Sequence, residues 1–361
     1  MPRHPTTRFI PALASILVLA ASACSTGAAS GAEASGSSGD CVPPENPQIT
    51  LAAYSNPYVA YGKLVSTWQS EWKDTHGGQL VQFLTSFGGS TTQAQSIVNG
   101  LEADIYASSL DPDVQMVRDA GLITHDWQGE PDGSVVQSGS VVFAVRPGNP
   151  RDIQNWDDLT QPGLQILTPD PAQSGGAKWN IVAAYGAAMR GEVPGYDGDN
   201  PDDAERLLEG IFRNVTVMDK SANDSLKNFE AGNGDVAITY DYQVATSLAA
   251  GGEEELVEPP STVQIRTPTV VVDTNAANHC VTDIAKEFVD YLHSKEAQEI
   301  FATSAYTRPI DTERAAEATD HLPAVVDLFT TDDVGGWDEL VNDTVFGPEG
   351  AFTTAFQAAK G

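Results

Sequence analysis

Short apolar runs of β type alternate with amphipathic helical patterns along the chain from about residue 49 onward. In the first half the β-type runs are QITLAAY (residues 48–54), GQLVQFLTSF (78–87) and ADIYASS (103–109). Between them, YGKLVSTWQSEWKD (61–74) and STTQAQSIVNGLE (90–102) repeat apolar side chains at helical spacing. Strands that alternate with helices are typical of βαβ units, so the pattern predicts an α/β fold with a largely parallel sheet.

The second half of the chain repeats the scheme and closes with helical patterns such as residues 283–302. Two longer extended runs, 138–146 and 265–274, enclose this second set of strands and helices. We expect them to form the hinge between two α/β lobes, with a ligand cleft between the lobes. A chain of 361 residues is long enough for two such cores.

The first 24 residues have the pattern of an export signal. Arg3 and Arg8 precede the twelve-residue apolar run FIPALASILVLA, and the small residues ASA follow before Cys24. Twelve apolar residues are too few to span a bilayer, so the segment predicts a signal peptide over residues 1–23 rather than an anchor. The ASAC end resembles the bacterial lipobox, which implies lipidation of Cys24; ordinary signal cleavage nearby is the alternative.

A Gly/Ser/Ala tract over residues 25–40 follows the signal. Such a segment behaves as a flexible coil with an end-to-end distance of roughly 20–25 Å, and it would tether a folded domain just above a membrane. The remaining cysteines, Cys41 and Cys280, could form a disulfide in an exported chain, or they could be two free thiols.

Acidic residues dominate the composition, with 50 Asp and Glu against 19 Lys and Arg and a formal net charge of −31. This charge argues against nucleic acid as a partner. Most acidic surfaces serve solubility. The net charge also means that any anionic ligand has to be held by local hydrogen-bond donors, because the field of the whole chain repels it.

Three predicted strand-to-helix junctions resemble one another. SFGGSTTQAQ starts a helix at Ser90, where Ser90 and Gln93 would form a capping box; DPAQSGGAKWN starts one at Ser174; MDKSANDSLKNF starts one near Ser221. Ligands of open α/β sheets lie at the carboxyl ends of strands, where such junctions meet. The free N–H groups of three helix starts would therefore make an anion site; helix capping alone is the alternative for each junction.

The sequence gives little support for an enzyme. It contains no G-x-S-x-G elbow, no H-E-x-x-H or C-x-x-C spacing and no Walker A motif. We therefore expect no catalytic residue, no metal and no cofactor. The six histidines are solitary: His4, His76, His125, His279, His293 and His321.

Five stretches resemble the bacterial sulfate/thiosulfate-binding proteins of ABC importers. These stretches are FGGSTTQAQSIVNGLEADI, GNPRDIQNWDDLTQPGLQILTPDPAQSGGAKWN, GDVAITYDYQ, the TRP at 307–309 and the GGW at 335–337. The resemblance runs in order from about residue 49 to 350. It implies a two-lobed periplasmic-binding-protein fold of the second type, which holds a tetrahedral oxyanion by uncharged hydrogen bonds.

The resemblance also implies a set of ligand-binding residues. Ser174 matches a serine that donates its hydroxyl, while Ser55, Ser90, Gly175, Gly176 and Ala222 match positions that donate backbone N–H groups. Tyr240 falls where many members have a tryptophan that reaches the ligand; a phenol can also donate, or it can be a packed wall residue. Ser55 stands where the family has an aspartate, and backbone donation tolerates that change.

The resemblance and the residue patterns together give a domain plan. Residues 24–46 form the lipidated N-terminus and linker, 47–141 the first part of lobe I, 142–266 lobe II, and 267–361 the rest of lobe I with the C-terminal helices. The expected function is a monomeric, extracytoplasmic lipoprotein that delivers sulfate or thiosulfate to a membrane permease. Phosphate or molybdate as the ligand, or a secreted enzyme, are the alternatives.

Overall fold

The computed structural model describes residues 41–308, 310, 322 and 325–361. The predicted signal peptide, Cys24 and the tract 25–40 lie outside the described residues, as do Pro309 of the TRP stretch, His4 and His321. Among the described residues, no helix is long and apolar enough to cross a membrane.

Ten strands form one mixed sheet in the order β2-β1-β3-β9-β4-β7-β5-β6, with β10 beside β9 and β8 beside β4. The strands are β1 (Gln48–Tyr54), β2 (Gln82–Gly88), β3 (Ile105–Ala107), β4 (Val135–Val145), β5 (Ile166–Pro169), β6 (Val215–Asp219), β7 (Val236–Tyr240), β8 (Glu255–Val257), β9 (Ser261–Val271) and β10 (Asp327–Phe329).

The longer helices cover the two faces of the sheet and follow the predicted periodicity. The helical run predicted over residues 283–302 divides in two, because Ser294 caps a new helix by accepting from the N–H of Ala297 at 3.1 Å. The helices are α1 (Tyr58–Thr75), α2 (Ser90–Val98), α3 (Asp111–Asp119), α4 (Gly175–Met189), α5 (Pro201–Asn214), α6 (Ala222–Glu230), α7 (Asp241–Ala249), α8 (Asp273–Asn278), α9 (Thr282–Leu292) and α10 (Lys295–Ser304), followed by Gly336–Glu339 and Ala351–Lys360.

The long strands β4 and β9 connect two groups of parallel strands. Strand β4 pairs with β9 up to Ser140 and then with β7 from Val141 onward, while the end of β9 pairs with β3; all three pairings are antiparallel. The outer pairings β1–β2, β1–β3, β5–β6 and β5–β7 are parallel. The prediction of a largely parallel sheet is therefore wrong at the centre, where β4 and β9 are antiparallel to each other, to β7 and to β3.

Each group of strands has its own hydrophobic core. Around β1, buried Trp68 of α1 packs against Phe288 of α9, with ring centroids 5.4 Å apart. Around the second group, Trp156 and Trp179 are buried with the apolar face of α5. The long strands β4 and β9 connect the two groups of strands around these cores.

The C-terminal helix Ala351–Lys360 packs on α5. The rings of Phe212 and Phe352 lie 5.0 Å apart, and the Lys360 ammonium donates to the carbonyl of Val215 at 2.7 Å. Helix α5 belongs to the segment predicted as lobe II, so the C-terminal helix packs against that segment. It packs there because its apolar side covers Phe212 of α5.

A disulfide joins Cys41 to Cys280, with their Cα atoms 5.2 Å apart. Cys280 follows α8 and has a positive φ of 58°. The bond fixes Cys41, the first described residue, to the turn between α8 and α9.

Candidate functional site

A small cavity lies where the two groups of strands meet. No charged side chain lines it among the described residues, and hydroxyl groups, one amide and backbone make up its walls. Its lining consists of Tyr54, Ser55, Asn56, Gly88, Gly89, Ser90, Ser109, Ser174, Gly176, Ser221, Ala222 and Tyr240.

Six strand-to-helix junctions supply this lining. The starts of α1, α2, α3, α4, α6 and α7 each follow a strand and each contribute a residue to the cavity, directly or from the preceding turn. The first N–H groups of a helix have no partner within the helix, and the helix dipole makes that end positive. The sequence predicts three converging junctions, and the structure brings together those three and three more.

The junctions are packed so closely that Gly89 has no room for a side chain. A Cβ at this position would lie 2.3 Å from the carbonyl oxygen of Gln173 and 2.7 Å from that of Lys220. The N–H of Thr92 also donates to the Gln173 carbonyl at 3.1 Å. The start of α2 is thus in direct backbone contact with the turns that precede α4 and α6.

Gly175 and Gly176 have different surroundings. Gly176 lines the cavity, and a Cβ there would lie 3.2 Å from the Tyr240 hydroxyl and 3.3 Å from that of Ser174. Gly175 is not among the lining residues; a Cβ there would overlap Leu110 at 2.0 Å. Close packing against the opposite wall is therefore a sufficient reason for glycine at 175, whereas Gly176 keeps the cavity open.

The two serines that begin α2 and α4 do not cap these helices with their side chains. Ser174 occupies the N-cap position of α4, but its hydroxyl makes no capping hydrogen bond, which leaves it for the cavity. The capping box predicted for Ser90 and Gln93 is wrong. Helix α2 is preceded by Gly89 as its N-cap, and the Ser90 hydroxyl instead shares hydrogen bonds of 3.0 and 3.1 Å with Tyr106 and Ser108.

Ser221 does cap its helix. Its hydroxyl oxygen accepts from the N–H of Asp224 at 3.1 Å, so α6 begins at Ala222 as predicted. Ser55 lies on the opposite wall, where its hydroxyl donates to the amide oxygen of Asn56 at 3.3 Å. Every predicted binding residue except Gly175 lies in the cavity wall: Ser55, Ser90, Ser174, Gly176, Ala222 and Tyr240.

The Tyr240 and Ser109 hydroxyls are the least satisfied polar groups of the wall. Tyr240 is fully buried, and among the described residues its hydroxyl has only a weak partner, the hydroxyl of Ser109. Burial raises the pKa of the Tyr240 phenol well above its usual value, so the group stays protonated and remains a donor. A weakly paired buried donor favours a ligand that accepts from it.

The nearest charges are paired and lie behind the wall. Lys178 of α4 donates to Thr91 at 3.0 Å and to the buried carboxylate of Asp113 at 3.3 Å. The buried carboxylate of Asp241 forms an ion pair with Arg308 at 2.9 Å. Neither carboxylate lines the cavity.

Sequence reasoning missed three groups of this site. Asn56, Ser109 and the Lys178–Asp113 pair were not singled out, although Lys178 lies inside the quoted SGGAKWN run. A serine, an asparagine or a lysine in such contexts has no local signature of its own, because what it does depends on a partner far along the chain.

The sequence matches the family described as bacterial extracellular solute-binding protein over residues 49–307. It is 31% identical to the sulfate-binding protein of Synechococcus elongatus, over 97% of this chain and 96% of the relative. It is 34% identical to the sulfate-binding protein of Salmonella typhimurium (82% of this chain, 89% of the relative) and 30% identical to the thiosulfate-binding protein of Escherichia coli (81% and 87%).

Among solved structures, the sulfate-binding protein SubI from Mycobacterium tuberculosis superposes with a TM-score of 0.74 at 30% identity, over 83% of this chain and all of that chain. A periplasmic thiamin-binding protein superposes with a TM-score of 0.66 at 12% identity, a likeness of fold alone. These similarities confirm the two-lobed type II periplasmic-binding-protein fold. The chain belongs to the bacterial extracellular solute-binding proteins and, within them, to the family of sulfate- and thiosulfate-binding proteins.

Proposed function

We propose that the chain captures sulfate or thiosulfate in the cavity and delivers it to the membrane permease of an ABC importer. The observation that supports this most is the cavity wall, where six strand-to-helix junctions converge and, among the described residues, no charged side chain lines the cavity. Backbone N–H groups at helix starts and hydroxyl groups such as those of Ser174 and Tyr240 are donors that an oxyanion can accept from. The chain's net charge of −31 makes such local donors necessary.

The size of the cavity supports a small ligand. Sites for drug-sized organic ligands occupy roughly 300–1,000 Å³, whereas the free volume of this cavity is about 10 Å³. A large organic ligand would have to push the walls apart. Each hydrogen bond to a charged ligand contributes about 1.5–3 kcal/mol.

We propose that the chain binds its ligand without catalysis. Solute-binding proteins stabilise their folded state when they bind, by about 2.7 kcal/mol at a hundredfold excess over the dissociation constant. Among the described residues, no group of three or more side chains is arranged to hold a metal ion. A thermal-shift titration with sulfate should therefore show stabilisation, and the sulfate recovered should be chemically unchanged.

Tyr240→Phe is the sharpest test of the site, because it should weaken the complex and leave the ligand-free protein almost unchanged. We expect sulfate affinity to fall by roughly tenfold to 150-fold, the loss of one hydrogen bond to a charged ligand. The ligand-free protein should be about as stable as the wild type, because the change removes a buried hydroxyl that has only a weak partner in Ser109. Titration calorimetry and thermal unfolding measure the two effects.

Tyr242→Phe is the matched control. Tyr242 is equally buried and its ring lies 5.2 Å from that of Tyr240, but its hydroxyl is paired with Tyr54 at 3.2 Å and does not line the cavity. This variant should lose about 1 kcal/mol of stability with little change in affinity. An unchanged dissociation constant for Tyr240→Phe would contradict the proposed site.

We also propose that lipid at Cys24 anchors the protein to the outer face of the cell membrane, with the tract 25–40 as the tether to the disulfide at Cys41. The family is extracellular, which agrees with an exported chain. Cys24→Ser should move the protein from the membrane fraction to the soluble extracytoplasmic fraction, because a lipid chain is then no longer attached. Fractionation followed by immunoblotting measures this, and a Cys24→Ser protein that stays with the membrane would contradict the anchor.

A further inference from the structure

The side-chain amides of Gln243 and Asn56 and the hydroxyls of Thr239 and Ser55 form a hydrogen-bond network along the edge of the cavity. The Gln243 amide nitrogen donates to the carbonyl of Ala222 at 2.9 Å. The Gln243 amide oxygen accepts from the amide nitrogen of Asn56 at 3.3 Å and also from the Thr239 hydroxyl. The Asn56 oxygen accepts in turn from the Ser55 hydroxyl.

The Ala222 carbonyl fixes the orientation of the Gln243 and Asn56 amides. The Ala222 carbonyl can only accept, so the nitrogen of Gln243 has to face it and the oxygen of Gln243 has to face Asn56. The nitrogen of Asn56 then points to Gln243 and its oxygen to Ser55. The one side-chain amide oxygen in the cavity lining is thereby engaged and is not presented to a bound anion.

The hydrogen bonds also join the two halves of the molecule. Asn56 follows β1 and precedes α1, in the proposed lobe I, while Gln243 lies in the first turn of α7, in the proposed lobe II. Gln243 is buried, with 7% of its surface exposed. A bond between Asn56 and Gln243 can exist only while the cavity is closed.

We infer that Gln243 is a positioning residue for the bound anion, and that its hydrogen bond to Asn56 is a latch that holds the closed cavity. The inference rests on the proposed function. Gln243 holds the first turn of α6, where Ala222 lines the cavity, and it connects that turn to the loop of the other lobe. Release of the anion requires the latch to open, so the latch acts on the dissociation rate more than on the association rate.

The experiment measures sulfate association and dissociation by stopped-flow fluorescence for the wild type, Asn56→Ala, Gln243→Met and the double variant. Methionine keeps the length of the side chain and removes its three hydrogen bonds, with Ala222, Asn56 and Thr239. We expect Asn56→Ala to dissociate roughly three- to tenfold faster, as for loss of one neutral hydrogen bond, and Gln243→Met at least as fast, with association within about twofold of the wild type for both. The double variant should be no faster than Gln243→Met, because the bond is shared.

Gln298→Met is the control for a buried glutamine. Gln298 donates to the carbonyls of Val136 and Leu292 at 2.8 Å each, away from the cavity. This variant should lower the thermal stability of the ligand-free protein and leave sulfate dissociation unchanged. The contrast separates the latch from general destabilisation.

If Gln243→Met does not fold, Asn56→Ala still tests the latch. Asn56 is partly exposed, so its replacement is expected to leave the fold intact. Unchanged dissociation rates in Asn56→Ala, or fully additive effects in the double variant, would overturn the latch while sulfate binding by the wild type upheld the proposed function. A wild-type protein that binds no sulfate would instead overturn the proposed function and the latch with it.

Discussion

Replacing Gly176 by aspartate is expected to abolish sulfate binding. A Cβ at this position would already lie 3.2 Å from both the Tyr240 hydroxyl and the Ala222 side chain, so any side chain enters the cavity. A carboxylate would add a negative charge at the place proposed for the anion, and like charges in contact cost several kcal/mol. We expect affinity to fall at least about a thousandfold, which corresponds to about 4 kcal/mol and is measurable by titration calorimetry.

Gly62→Asp provides the charge-matched control. Gly62 lies on an exposed part of α1, and a Cβ there would meet no atom within 4 Å. This variant has the same net charge as Gly176→Asp, so its sulfate affinity should equal that of the wild type. If Gly176→Asp still bound sulfate tightly, the ligand would have to be held somewhere other than this cavity.

Local patterns along the chain predicted most of the secondary structure. QITLAAY became β1 with the predicted bounds, because a short apolar run between turn residues leaves few alternatives. The antiparallel pairing of β4 with β9 could not be predicted, since strand pairing depends on partners more than a hundred residues away. The contact of Phe352 with Phe212 could not be predicted for the same reason.

The candidate site was predictable where its signal is local. Glycine pairs at the start of a helix, as at Gly88–Gly89 and Gly175–Gly176, indicate that the backbone lies close to another group. They do not show whether that group is a ligand or a neighbouring side chain. At Gly175 the neighbour is Leu110 of the opposite wall, and at Gly176 it is the cavity. The Ser90 hydroxyl was misassigned to a cap because its true partner, Tyr106, lies 16 residues further on.

Gln243 shows the limit of the sequence most clearly. It lies within the GDVAITYDYQ stretch, but its partner Asn56 is 187 residues away. An amide side chain accepts and donates anywhere on a surface, so only the folded chain shows that this one is buried between two cavity walls. A residue that acts through a distant partner leaves no characteristic residue spacing in the sequence.

The cavity walls also lead to a prediction about which oxyanion is bound. Sulfate carries no proton near neutral pH and can accept from every donor that faces it, whereas phosphate carries one or two protons that need acceptors. No carboxylate lines the cavity among the described residues: Asp241 is paired with Arg308, and Asp219 accepts from Ser225 at 3.0 Å. A serine or tyrosine hydroxyl that accepted a hydrogen bond from a phosphate P–OH group would have to turn its own hydrogen away from the ligand.

We therefore expect sulfate to bind roughly tenfold to several hundredfold more tightly than phosphate, since a buried polar group without a partner costs about 1–3 kcal/mol, and more beside a charge. The preference should hold from about pH 5.5 to about pH 8, because both ionic forms of phosphate in this range keep a proton and no group of the wall titrates there. The Tyr240 phenol stays protonated throughout, as burial raises its pKa. Competition calorimetry at several pH values measures the ratio of the sulfate and phosphate affinities. Protonation of groups outside the site changes both affinities equally and therefore does not change this ratio. Equal affinity, or phosphate binding that strengthens as the ligand gains its second proton, would show that a carboxylate enters the site and would contradict a wall made of donors alone.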